Sequence, residues 1–158
     1  MKIYDEYRSY VIEELNDCLT IQKNNDTAYY DVLEAINDLS NDSLCVLNHL
    51  SNDSLCVLNH LYINEGQEET FEQKFLRRNK HLKNVDGFKA LRFLRPRTAG
   101  RHYIIITLWE NRQAFYHWQN SAEYKHTHKH RGTSKGADVK IINRELSYNI
   151  RIELADMV

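Results

Sequence analysis

Between Leu55 and the end of the chain the apolar residues change period in a fixed order, and that order limits the fold more than any other feature. Residues 55–63 (LCVLNHLYI) alternate, so that Val57, Asn59 and Leu61 share one face of a strand and Leu58, His60 and Tyr62 the other. Asn64-Glu65-Gly66 ends this strand. Residues 67–79 then follow a helical period, with Phe71, Phe75 and Leu76 on the apolar side. After the Asp86-Gly87 turn, residues 88–94 form a strand that stops at Arg95-Pro96, because proline has no N–H to give a sheet ladder. Residues 101–109 are a strand built on Tyr-Ile-Ile-Ile-Thr-Leu-Trp, rich in β-branched and aromatic side chains. Asn111 is placed to cap a helix over 112–120. A second short helix is expected at 123–130, a loop at 131–136, and a last strand over 139–154 with Tyr148, Ile150, Ile152 and Leu154 in phase.

The order βαββαβ, joined by right-handed crossovers, predicts an α+β architecture of the ferredoxin-like, split-βαβ kind: a four-stranded antiparallel sheet with its helices on one face. The other face must be covered. A second copy (a homodimer through the sheet), the chain's own N-terminal residues (a pseudo-dimer) or a flat apolar ligand would each do this. The N-terminal residues suggest a short α/β extension. Residues 4–17 show helical spacing at Tyr7, Tyr10, Val11 and Leu15, residues 19–22 suit a short strand, 23–26 a polar loop, and 29–39 a helix with Val32, Leu33 and Ile36 on one side. The expected division is therefore an extension over 1–53 and the ferredoxin-like domain over 54–158.

That boundary falls inside a perfect tandem repeat. Residues 39–49 read LSNDSLCVLNH, and residues 50–60 read the same. Two copies are fewer than the roughly three a solenoid needs, so the pattern is that of an in-frame duplication. Each copy is a strand-like run behind a turn-forming Ser-Asn-Asp-Ser. Asn48 and Asn59 are thus equivalent by sequence. Copy two runs directly into Leu61–Gly66 and leaves the surplus residues ahead of the strand, where each doubling of loop length costs only ~0.6 kcal/mol. Asn59 is assigned to the strand on this ground.

Composition excludes more than it selects. At 158 residues, 42% hydrophobic and 27% charged, the chain is an ordinary globular domain, or one domain with an appendage. A net charge of -1 gives no general pull toward nucleic acid or anionic lipid. No apolar run approaches the ~20 residues of a membrane span, and the first residues, MKIYDEYR, carry no secretory apolar core. Cys18, Cys45 and Cys56 have no C-x-x-C spacing and suit idle thiols in a reducing compartment, so a cytoplasmic protein is expected.

The chemistry-bearing residues concentrate around the third strand and the helix after it. Trp109 ends the strand, Phe115 and Trp118 lie on the helix, and Tyr124 and His128 follow one helical turn apart on the next segment. An imidazole beside several aromatic rings is a donor set suited to iron in an apolar disc. Asn59, a polar residue among apolar neighbours on the first strand, needs a hydrogen-bond partner. The ordered set Asn59, Gly87-Phe88, Leu94-Arg95-Pro96, Leu108-Trp109-Glu110, Ala114-Phe115-x-x-Trp118 and Ser121-x-x-Tyr124-x-x-x-His128 resembles the antibiotic-biosynthesis-monooxygenase (ABM) domain. More narrowly it resembles the IsdG-type haem-degrading monooxygenases, above all their longer bacillus variant with an N-terminal extension.

That resemblance implies a catalytic trio of Asn59, Trp118 and His128. His128 would ligate haem iron from one side, Trp118 would press on the porphyrin, and Asn59 would hydrogen-bond the oxygen ligand on the other side. Phe75, Phe115, Tyr124 and Arg92 join the trio as cofactor contacts, with Arg92, Arg95 and Arg97 as candidate donors to the propionates. Haem would be both substrate and oxygen activator, with electrons from an external reductase or small reductant.

Blander readings stand beside these. Trp109 is read as core, and Trp118 and Phe75 taken singly would be core too. His128 alone would be a surface histidine, Asn59 alone a strand-end residue, and the three arginines ordinary solvent-exposed charges. His126 and His130 are spaced to chelate zinc, but Lys125, Lys129 and Arg131 oppose a cation, and a solvated basic face is preferred. Two other functions remain open on the same fold: a non-catalytic haem-binding or signalling relative (TRAP-like), and a cofactor-free monooxygenase of a small aromatic substrate.

Overall fold

The computed structural model describes residues 2–4, 9–39, 54–78, 81–121 and 140–153. Among them, eight strands form one antiparallel sheet: β1 (Lys2–Tyr4), β2 (Ser9–Leu15), β3 (Cys18–Lys23), β4 (Asp26–Ile36), β5 (Leu55–Ile63), β6 (Phe88–Pro96), β7 (Tyr103–Trp109) and β8 (Ile142–Glu153). Two helices, α1 (Glu68–Arg77) and α2 (Arg112–Gln119), and a 3₁₀ turn at His81–Asn84 complete the set. The order across the sheet is β1-β2-β3-β4-β6-β7-β5-β8. Within it, β5-α1-β6-β7-α2-β8 is the expected βαββαβ unit, with β5 and β7 central. The helix expected at 123–130 and the loop at 131–136 lie outside the described residues.

The extension is entirely β among the described residues, which corrects the two helices expected there. Residues 4–17 contain β2, and residues 29–39 contain most of β4. The reason is local. β2, β3 and β4 are joined by two-residue turns whose first residues, Asn16 and Asn24, sit at φ 57° and 55°, a left-handed geometry asparagine tolerates. With those turns fixed, the true period is two: Tyr10 and Ile12 point inward with Leu19 and Ile21, and Leu15 is left exposed.

β4 then pairs with the edge of β6, bulging between Val32 and Glu34. The N-terminal strands curl under the sheet. Tyr10, Ile12, Leu19 and Ile21 form one core with Leu58, Ile106, Ile150 and Ile152, so the chain covers its own open face. Arg92 belongs to this side, alternating with buried Ala90 and Leu94. It is 3% exposed, and its Nε donates to Glu14 Oε2 at 2.6 Å while Nη1 donates to the Asn37 carbonyl at 2.6 Å. It therefore stitches the extension to the domain. β5 begins with residues 55–60 of the second copy of the repeat, and residues 40–53 lie outside the described residues.

His60 also faces the extension. It stacks on Tyr148 at 4.3 Å between ring centroids, with His102 and Lys23 as the charges around it. Burial pushes its pKa from 6.5 down to about 4. A histidine held neutral in the folded state contributes stability above pH 6.5, and loses it as the pH falls from 6.5 toward 4. His60→Phe is expected to flatten the fall of Tm across that window, as read by thermal melts from pH 7 to 4. An unchanged acid limb would show that other groups set it.

Candidate active site

On the helix-bearing face, three cross-strand rows define a floor. Val57 and Thr107 form one row and Leu61 and Tyr103 another, all 9% exposed or less. Between them lies the pair Asn59–Ile105, and both residues are only half-buried. Phe93 continues this middle row on β6 and Asn149 on β8. α1 covers the Phe93 end of the middle row and α2 covers the Val57 row, so a strip of sheet is left open between the helices. The Asn59 amide makes no side-chain hydrogen bond among the described residues.

The walls are fixed by packing. The Phe75 ring lies 4.1 Å from Phe93, and the Arg78 guanidinium sits 3.5 Å over it. Arg78 is held in turn by Glu34 of β4 at 2.8 Å, so the extension braces this wall. Opposite, the Asn111 side chain accepts from the Ala114 N–H at 2.8 Å, the cap expected from sequence, and starts α2. Trp109 is fully buried and its indole N–H donates to Thr107 Oγ1 at 2.9 Å, which makes it core as expected. Trp118, half-buried, lies against it at 5.3 Å. Phe115 is 4% exposed beneath α2, against Trp109, and so supports Trp118 from behind more than it lines the cleft.

The structure thus gathers Asn59, Trp118 and Phe75 on one face, with Phe115 behind them. It does not bring Arg92 there: that side chain is buried on the opposite face with Glu14, which corrects its expected contact with the cofactor. Arg95 is taken up by Glu72 and Arg97 by Asp31. The Glu72 carboxyl is held below its usual range by Arg95, with Tyr103 also donating to it. Tyr124 and His128, like His126 and His130, lie outside the described residues. No cluster of three metal-ligating side chains occurs among the described residues. The Cys56 thiol, fully buried, is pushed up to about 12 and is no nucleophile.

Sequence reasoning passed over Ile105 and the opposite phase of β8. Asn149, Arg151 and Glu153 alternate with Ile150 and Ile152, and that alternation was there to be read. Chemically, the site is an apolar slot with aromatic walls and one amide on its floor. A flat, conjugated, mostly apolar ligand fits that donor set.

Residues 54–130 match the antibiotic biosynthesis monooxygenase family. Over this segment the chain is similar to the ABM domain. A mycobilin-producing haem oxygenase of Mycobacterium tuberculosis is 25% identical over 85 residues, which is 54% of this chain and 81% of that protein. Over nearly the whole chain the fold is similar to that of a major regulator of staphylococcal pathogenesis, at TM-score 0.69 and 15% identity, covering 98% of this chain and 83% of that one. It is also similar to a haem-degrading enzyme of Listeria monocytogenes, at TM-score 0.54 and 15% identity, covering 95% and 86%. The ABM-like domain and the strands before it are therefore a shared architecture. No helix among the described residues is long and apolar enough to cross a membrane.

Proposed function

We propose that the protein is a haem-degrading monooxygenase, which opens the porphyrin ring of its substrate and frees the iron using oxygen and electrons from an external donor. The observation that carries this reading is the open Asn59–Ile105 strip between the Phe75–Phe93 wall and Trp118, within an ABM-like domain similar to a haem oxygenase. Bound haem supplies the oxygen-activating iron. The protein's part is to bind and orient it. Phe75, backed by buried Phe93, and Ile105 would exclude water from one side of the ring. Trp118, backed by Trp109 and Phe115, presses on the ring from α2. Asn59, on a central strand, would offer its amide N–H to the bound ligand, and His128 would supply an imidazole to the haem iron.

The test is a haem titration of the full chain. A Soret band at 1:1 stoichiometry is expected, lost or shifted in His128→Ala. Addition of ascorbate in air should bleach that band and release chelatable iron. No Soret band on titration would overturn the reading. A stable band that ascorbate leaves intact would favour a non-catalytic haem-binding protein.

A further inference from the structure

The β8 lip of the cleft carries an arginine that no carboxylate among the described residues holds. Arginines 78, 92, 95, 97, 101 and 112 are each paired with an Asp or Glu. Arg151 is not. It is exposed, lies beside Val57 in register, and so stands one row from Asn59 on the helix-bearing face. The carboxylate two residues along the same face, Glu153, is engaged by Arg112.

Arg151 is nevertheless held in place. Its guanidinium lies 4.9 Å from the centroid of the Phe115 ring and 5.7 Å from that of Tyr116, and its Nε donates to Asn149 Oδ1 at 3.1 Å. Asn149 is itself the cross-strand partner of Asn59. A polar line therefore runs from Asn59 on the floor of the slot to Asn149 at the sheet edge, and turns there into the Val57 row, where it ends in a pre-oriented cation with free N–H donors. A stacked guanidinium loses little side-chain freedom on binding an anion, and its fork matches a carboxylate.

We infer that Arg151, oriented by Asn149 and the α2 aromatic rings, binds a carboxylate of the ligand in this cleft, a haem propionate. This rests on the haem reading above. It assigns to β8 the role that the sequence placed on the arginines of β6, whose charges are already satisfied.

Haem and its dimethyl ester, in which both propionates are masked, separate the two ideas. With the wild-type chain, haem should bind about tenfold more tightly than the ester, as measured by Soret titration. Arg151→Gln should lose that margin for haem and bind the ester as the wild type does, whereas Arg151→Lys should keep part of it. If Arg151→Gln weakens haem and ester equally, the side chain acts through packing on α2 and the inference is overturned. Equal binding of haem by wild type and Arg151→Gln overturns it as well. If the wild type binds neither haem nor ester, it is the haem reading itself that fails.

Discussion

Asn59→Ala is expected to slow haem turnover by about 100-fold or more while leaving haem affinity nearly unchanged, and Asn48→Ala is expected to have no effect. The two residues are identical in local sequence, and Asn59 is the one carried by β5. Asn59 sits on a central strand, paired with Ile105 on one side and Asn149 on the other, which fixes its backbone. Its amide faces the open strip with no side-chain partner among the described residues. A donor held rigidly in a slot that the bound ring would close to water, facing charge that develops in the reaction, is worth about 10²–10³ in kcat. The same donor adds little to the binding of a large apolar ring, so the loss should fall on kcat and not on Kd. Asn59→Asp keeps the size and removes the N–H, and should match Asn59→Ala. Single-turnover bleaching with saturating reductant makes the comparison, and a slow Asn48→Ala beside a normal Asn59→Ala would reverse the assignment.

Gly87→Ala should cost about 3 kcal/mol of stability and disturb the Trp118 wall. Gly87 sits at φ 81°, where an L side chain adds roughly 1–2 kcal/mol of backbone strain. A Cβ there would overlap Ala114 Cβ, so α2 would have to move off the sheet, at a further ~1–3 kcal/mol. For a domain of this size the sum is a fall in Tm of roughly 6–12 °C. Gly66→Ala is the control: its φ is 85° but nothing lies within 4 Å of the added carbon, so it carries the backbone strain alone. Ala114→Gly in the Gly87→Ala background should restore the packing part. Because α2 carries Trp118, Gly87→Ala should also change tryptophan fluorescence and weaken haem binding. Equal melting temperatures for Gly87→Ala and Gly66→Ala would show that α2 does not depend on this close approach.

Much of the site is visible in the order of residues, for a physical reason. β5, β6, β7 and α2 have strong, single-period patterns, and Asn111 is a side-chain cap whose chemistry acts over three residues. Such features are decided locally. The extension was misread because Tyr10, Val11, Leu15 and Val32, Leu33, Ile36 also fit a helical spacing. What overrules that spacing is a pair of asparagine turns and the long-range pairing of β4 with β6. Arg92 was misplaced because a strand's alternation says which residues share a face but not which face looks toward the helices.

The sequence alone, then, determined the βαββαβ order, the burial of Trp109, the aromatic helix behind it and the presence of a single polar residue on the first strand's apolar face. The tertiary structure decided three things that no local pattern contains. It brought residues 55–60 of the second copy of the repeat into β5, and so set Asn59 on the floor of the cleft. It folded the N-terminal strands under the sheet, which closed the open face and drew Arg92 away to Glu14. It also set Arg151 unpaired at the lip of the cleft, beside the rings of α2. Each depends on contacts between strands far apart in the chain, where the free energy of burial and of charge pairing is decided by what arrives on the other side.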